Sequence, residues 1–378
     1  MPLTGAHRPL PRVTLAVAVA LSCVAWALAG TPESRAGGDA DRPNVIIILT
    51  DDQRNDDMWV MNGTRRRLGG SGAGVSFVNN FATYPLCCPS RATLLTGQYA
   101  HNHGVFDNGG PDGGIANFDD TPTLATQLHA AGYRTGYYGK YLNGYPGRAR
   151  NDPEGSIPPG WDRWFGLIDA GQYDWSAAAN GSIRRFGREP RDYQTDVLAR
   201  LSREFVRKHA GRRKPFFLTV ATNAPHGEKG RRFSNRNPRP AKRHLGVFED
   251  AKLPKPPSFN EDDVSDKPPF LQVEKLPKDE RLELRDRYRG RLESLLAVDE
   301  LVVDLVRELR RENELRETYV LFTSDNGFLL GEHRLEKKRL LYEESARVPL
   351  LMRGPGVPKG VVRPELSGNI DIAPTIYD

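Results

Sequence analysis

Cysteine is almost missing from this chain, which carries three in 378 residues. Cys23 lies in an apolar run near the start, and the other two, Cys87 and Cys88, are neighbours. Adjacent cysteines bridge only through a strained ring, so a disulfide scaffold is excluded. Long apolar runs are just as scarce, and after Val13–Ala29 no stretch is apolar enough over sufficient length to cross a bilayer. A large surplus of one charge sign is absent too. The 54 lysines and arginines stand against 48 acids, without the clustered basic excess that marks a nucleic-acid binder. No internal repeat is found.

What is present begins with a targeting segment. Arg8 and Arg12, the apolar run to Ala29 and the small-x-small triplet Ala27-Leu28-Ala29 have the layout of a secretory signal peptide over residues 1–29. Residues 30–43 read as a linker and 44–378 as a catalytic domain. Removing the signal takes two basic residues and no acid, leaving 52 against 48, a mild positive balance that suits an anionic substrate. The mature chain is expected to be secreted or in the cell envelope, with no stable membrane span. An exported protein normally spaces and pairs its cysteines, so Cys87-Cys88 points to chemistry at one of them rather than to two small buried hydrophobes.

Three short apolar runs, Val45–Leu49, Phe216–Val220 and Tyr319–Phe322, read as buried parallel strands. Between them lie helical patterns. Thr123 caps Leu124 to Ala131, and a helix from about Arg285 to Arg311 repeats apolar residues at Leu292, Leu295, Leu296, Val302, Leu305, Val306 and Leu309. Alternating strands and helices imply an α/β fold with a mostly parallel central sheet covered on both faces. Residues 228–280 are Pro-rich, charged and aperiodic, a long surface excursion. The closing string GNIDIAPTIYD reads as the start of a helix, as if the chain stops within it.

Each strand runs directly into polar residues: Asp51-Asp52 after the first, Asn223-Ala224-Pro225-His226 after the second, Asp325-Asn326-Gly327 after the third. Ligands of open α/β sheets bind beyond the carboxyl ends of the strands. A single Asp-Asp or Asp-Asn-Gly is usually a cap or a turn. Their joint placement after strands instead suggests a site for a hard divalent cation, calcium or magnesium, ligated by oxygen.

The string Cys87-x-Pro89-Ser90-Arg91-x-x-x-Leu95-Thr96-Gly97, followed by Gly132-Tyr133-Arg134-Thr135-x-x-x-Gly139-Lys140, resembles the two signatures of the type I sulfatases, in order and at the family's distance. The segments GKYLNGY, IPPGWDRWFGL, YQTDVLA and LYEESARVPLLMRGPG look like the branch with N-acetylglucosamine-6-sulfatases. The resemblance implies an alkaline-phosphatase-like sandwich and a smaller C-terminal subdomain, which is expected to be missing or truncated here. It also implies that a formylglycine-generating enzyme oxidises Cys87 to formylglycine, leaving Cys88 a spectator. The hydrated aldehyde then attacks the sulfur of a sulfate ester, and its second hydroxyl lets it expel sulfate.

By the same resemblance, Asp51, Asp52, Asp325 and Asn326 hold calcium together with residue 87. Arg91 steadies the nucleophile and the carboxylates, Lys140 and Lys338 contact sulfate oxygens, and His226 acts on the leaving oxygen. Lys338 is assigned by its spacing to Tyr342-Glu343, with Lys337 and Arg339 on either side. Leu142 stands where many arylsulfatases have a second histidine. Asn143 is then open between a substrate contact and a turn. His101 and His103 read as structural, and His333 as a residue near the pocket mouth. The substrate is a sulfated small molecule or glycan. A phosphonate monoester or phosphodiester hydrolase of the same superfamily, or an unconverted glycan-binding protein, are the alternatives.

Overall fold

The apolar run at Val45–Leu49 forms the middle of a ten-stranded sheet in the computed structural model, which describes residues 42–147, 157–169, 171–228 and 237–378. The expected signal peptide at 1–29 and the linker as far as residue 41 lie outside the described residues. The strands are β1 (Asn44–Thr50), β2 (Val75–Phe81), β3 (Arg134–Gly139), β4 (Arg163–Leu167), β5 (Trp175–Ala179), β6 (Ser182–Phe186), β7 (Phe216–Ala221), β8 (Thr318–Ser324), β9 (Leu329–Leu330), β10 (Glu336–Lys337), β11 (Leu350–Arg353) and β12 (Val361–Gly368). The short β9 and β10 pair only with each other. The other ten lie in the order β12-β2-β11-β8-β1-β7-β3-β4-β5-β6.

The expectation of a mostly parallel sheet holds at the centre, where β8, β1, β7, β3 and β4 run parallel. Toward the edges the sheet is mixed: β11 is antiparallel to β8 and β2, and β5 and β6 are antiparallel additions, while β12 pairs parallel with β2.

Successive β1 side chains point to opposite faces, and each face has its own helical cover. Ile46 and Ile48 pack with Val197, Leu198 and Phe205 of one helix and Leu295, Val298 and Val302 of another. Val45, Ile47 and Leu49 pack instead with Ala92, Leu95, Leu124 and Leu128. Fully burying one such aliphatic side chain contributes about 1.5–3 kcal/mol, so both layers draw on β1. The helices are α1 (Asn62–Leu68), α2 (Cys87–Thr96), α3 (Ala100–His103), α4 (Leu124–Ala130), α5 (Gln194–His209), α6 (Lys278–Arg311), α7 (Glu343–Ala346) and α8 (Ile372–Tyr377).

Helix α4 starts where Thr123 was expected to cap it; the hydroxyl of Thr123 accepts from the Thr126 N–H at 3.3 Å. Helix α6 begins seven residues before the expected start. Its first turns are mostly exposed and carry no apolar period, and Asp279 and Glu280 favour that end electrostatically. The described part of the excursion, 237–277, holds only two short 3-10 turns, Lys242–His244 and Pro269–Leu271. It is pinned in place: the Asn260 N–H donates to the Gly331 carbonyl at 2.8 Å and the His333 N–H to the Ser258 carbonyl at 2.7 Å.

Candidate active site

Register decides where the site forms. Thr50 is paired with Ser324, Leu49 with Ala221, and Ala221 with Gly139. The parallel strands therefore finish level, and Asp51, Asp325 and Lys140 leave the sheet at the same height, with His226 reached through the turn after β7. Gly139 permits this: at φ 129° it lies so close to β7 that an added Cβ would sit 1.8 Å from the Ala221 carbonyl oxygen. Asp52 turns the chain back in the left-handed region, φ 68°, a conformation that aspartate tolerates better than most residues. Its N–H then donates to Asp325 Oδ1 at 3.1 Å.

Cys87 is the first residue of α2, at the end of the helix where the unpaired N–H groups and the dipole favour negative charge. Arg91, four residues on, shares its face. Its Nε donates to Asp325 Oδ2 at 2.8 Å and an Nη to the Lys140 carbonyl at 2.6 Å, with the other Nη 3.4 Å from Asp51 Oδ2. The Lys140 ammonium donates to Asp51 Oδ2. Lys338 donates to Asp52 Oδ1 and lies 2.7 Å from Cys87 Sγ, while Cys87 Sγ is 3.4 Å from Asp51 Oδ1. Of the three consecutive cations, Lys338 is the one whose ammonium reaches Cys87. Arg339 pairs with Asp107, and Lys337 lies in β10. Lys337 and Arg339 hold φ values of 95° and 88°, and backbone strain of this kind tends to collect where a side chain must be aimed.

The electrostatics follow from burial among alternating charges. Burial by itself raises the Asp51 carboxyl, but Lys140, His226, Arg91 and Lys338 outweigh it and hold the group ionised. Asp52 is lowered the same way, against burial, chiefly by Lys338 and His226. Burial lowers His226, with Asp52 and Asp51 pulling the other way. The Cys87 thiol is pushed up to about 12, first by burial and then by Asp51. As a thiol it is therefore protonated and a poor nucleophile, since the thiolate is the reactive form.

Asp51, Asp52, Cys87 and His226 each bring one donor atom to within 4.8 Å of the others, a cluster that can hold a metal ion. Asn326 fits the same role. Its Nδ2 donates to Asp52 Oδ1 at 2.7 Å, and its Oδ1 is buried without a hydrogen-bond partner among the described residues. A buried amide oxygen left unpaired is costly, and a cation would satisfy it. Asp325 stands differently: both its oxygens already accept, from Arg91 and from the Asp52 N–H. With two carboxylates and an amide oxygen the set suits a hard cation, whereas thiol and imidazole alone would lean toward zinc.

All the expected site residues thus lie around one point at the carboxyl end of the parallel strands. The remaining candidates are held by partners outside this cluster. His103 receives the Val105 N–H on Nδ1 at 3.1 Å and meets Thr93 Oγ1 with Nε2 at 3.1 Å, a structural role. His333 stacks on Tyr342 and pairs with Glu261. Leu142 is buried, and Asn143 occupies a turn whose carbonyl accepts from the Ile115 N–H.

Sequence reasoning missed the supports. Arg291 of α6 donates to the Asp52 carbonyl and to Asp57 Oδ2, holding the strained turn. Asn369 donates to the Ser90 carbonyl and hydroxyl behind α2. Arg291 left one readable sign, an arginine inside the apolar stripe of a buried helix; Asn369 left none.

The chain matches the family described as Sulfatase over residues 43–378. It is 38% identical over 343 residues to an extracellular sulfatase homologue of Caenorhabditis elegans, covering 88% of this chain and 46% of that protein. With human N-acetylglucosamine-6-sulfatase it shares 34% identity over 349 residues, 89% of this chain and 61% of the relative. The chain therefore spans roughly half of the length of these relatives. A solved structure of a protein with its substrate D-glucosamine-2-N,6-O-disulfate superposes with a TM-score of 0.70 at 26% identity, covering 89% of this chain and 76% of the other. The fold, the level strand ends and the match across residues 43–378 agree, and the chain belongs to the sulfatase family.

Proposed function

We propose that the chain hydrolyses sulfate esters carried on a sugar and releases inorganic sulfate. The observation that carries this reading is the setting of Cys87: the first residue of a helix, 2.7 Å from the Lys338 ammonium and facing Asp51. Oxidation of its Cβ to formylglycine, by a generating enzyme during export, would supply a hydrated aldehyde in place of an unreactive thiol. A calcium ion, with magnesium as the alternative, would be held by Asp51, Asp52, Asp325 and Asn326 with residue 87 and would draw charge off the sulfate oxygens.

The chain's own residues do the rest. Lys338 and Lys140 offer two fixed ammonium groups to an anionic group placed at the start of α2, and preorganised charge of this kind is usually the largest catalytic contribution. Arg91 holds Asp325, Asp51 and the Lys140 carbonyl together. The Nδ1 of His226 lies 2.6 Å from the Gly227 carbonyl; donating there leaves Nε2, 3.7 Å from Asp52 Oδ2, to hold and return a proton at the leaving oxygen.

The sugar is favoured because relatives are named as N-acetylglucosamine-6-sulfatases and one neighbour holds a sulfated glucosamine. Export is favoured by the signal-like start and by relatives named as extracellular. Among the described residues no helix is long and apolar enough to cross a membrane. The test is made on protein secreted by its natural host. The mass of the Cys87 peptide should show an aldehyde beside an intact Cys88, and glucosamine 6-sulfate should release sulfate. Two intact thiols with no release would sink the reading, and faster turnover of a phosphodiester than of the sulfate ester of the same phenol would replace it.

A further inference from the structure

The active site uses the edge of the sheet where the parallel strands end; the opposite edge, where they begin, carries a different feature. There the starts of β3 and β4, the last turn of α5 and the loop before β7 enclose a cavity of about 610 Å³. Its charged lining is Arg134, Arg163, Lys208, Arg212, Arg213 and Lys214, with His209 and a single carboxylate, Asp162. That carboxylate is already engaged: it accepts from the Thr135 N–H at 3.0 Å and sits 3.3 Å from His129 Nε2. Burial chiefly, with Lys208, Arg134, Arg163 and Arg212 adding to it, lowers His209 to about 4.

A second, smaller cavity of about 170 Å³ lies on the same edge, where α6 ends and β11 passes the start of β8. It is lined by Arg66, Arg67, Arg307, Arg310 and Arg353, with no acid in the lining. The two linings together hold eleven of the chain's 54 lysines and arginines and one of its 48 acids. Within the two linings only Asp162 offsets these cations; beside the small cavity Arg307 is also paired with Asp304 at 2.7 Å. Gathering like charges costs stability unless an anion sits among them.

We propose that this edge is a second binding site, for a polysulfated glycan strand, distinct from the catalytic pocket. The proposal rests on the sulfate-ester reading above for its choice of ligand. Arg134 and Lys140 stand at the two ends of β3, six residues apart, roughly 20 Å at about 3.3 Å per residue. A sulfated sugar at the start of α2 cannot touch both ends. A long glycan reaches both by passing around the molecule, and two basic cavities on one edge suit a linear polyanion better than a single small anion. The site holds the polymer while its sulfate groups are presented to the catalytic pocket, so it acts on long substrates and not on small ones.

The experiment compares three full-length proteins: the wild type, Arg212→Glu/Arg213→Glu/Lys214→Glu in the exposed loop of the large cavity, and Arg184→Glu/Arg185→Glu/Arg191→Glu, an equal charge change on exposed positions elsewhere. Binding of a heparin-like oligosaccharide is measured directly, beside kcat/KM for a small aryl sulfate. The cavity variant should bind the oligosaccharide roughly tenfold more weakly, as expected from reversing three partly screened contacts. The control should change by less than twofold, and kcat/KM for the aryl sulfate should be the same in all three. Should the cavity variant misfold, Arg163→Gln/Lys208→Gln takes its place with the same expectation at smaller size. Equal weakening in both variants, or none, overturns the proposal. Inorganic polyphosphate bound as tightly as the glycan overturns the choice of ligand. A wild type inert toward every sulfate ester would defeat the catalytic reading alone, since the binding comparison is read without turnover.

Discussion

Arg91 is 2% exposed, yet it spans Asp325, the Lys140 carbonyl and Asp51, so its planar fork substitutes for solvent around two buried carboxylates. Removing it leaves like charges facing each other in a dry interior. Arg91→Met should therefore cost about 3–5 kcal/mol in urea unfolding, and Arg91→Lys should recover only part, because one ammonium cannot reach all three partners. Asn326 carries a different expectation. Its Oδ1 is buried without a partner among the described residues; if the proposed calcium raises the Tm of the wild type, Asn326→Leu should lose that rise. His103 supplies a pH signature. Its pKa is lowered to about 4, chiefly by burial, against an ordinary value of about 6.5. The neutral ring is thus the one the fold favours. Its contribution is complete above pH 6.5, falls as pH drops from there toward 4, and is gone below. Tm measured across that window should fall more steeply for the wild type than for His103→Gln.

Among elements, β3 shows how closely backbone geometry and chemistry are joined. Gly139 ends the strand against the Ala221 carbonyl oxygen, and Lys140 leaves directly from it. In Gly139→Ala the new methyl has a backbone oxygen, not a flexible side chain, in its way. The strands must part, at about 3 kcal/mol or more, and the Lys140 ammonium moves with them, so calorimetry should show a lowered Tm together with lost turnover. A variant with normal Tm would mean that β3 and β7 separate easily there. Segment 333–339 is the counterpart on the other side of the site. Four of its residues hold positive φ, and Arg334 donates to the carbonyls of Glu261, Asp262 and Val273. The excursion that looked like loose surface chain thereby braces the Lys338 segment.

At the scale of the molecule, the two helical layers share one strand. Ile46 and Ile47 are both fully buried on opposite faces of β1. Ile46→Ala and Ile47→Ala should each lower stability by about 2–5 kcal/mol and should shift one common transition, followed by tryptophan fluorescence and far-UV dichroism together. Two separated transitions in either variant would mean that the layers unfold independently. The two ends of the parallel strands also differ: carboxylates and ammonium groups gather around Cys87 where they end, and two cavities lined mostly by cations lie where they begin.

The sequence by itself determined the central strands, the helices with a clear 3.6-residue period, and the polar strand ends Asp51-Asp52, His226 and Asp325-Asn326; Arg91, Lys140 and Lys338 were legible only through the resemblance. The strand readings are local: a run of branched apolar residues can only be buried, and polar residues straight after such a run must emerge at its end. The flanking strands were not legible, because β6 and β12 are short or largely exposed and carry no alternation to read. Nor were the roles of Arg291 and Asn369, which meet the site across 239 and 279 residues of chain. The basic edge belongs to the same class. Arg65-Arg66-Arg67 and Arg212-Arg213-Lys214 are visible as short basic runs, but Arg134, Arg163, Arg310 and Arg353 are far from them in sequence. Only the register of the sheet, which brings the starts of the parallel strands level with the end of the antiparallel β11, puts them on one side.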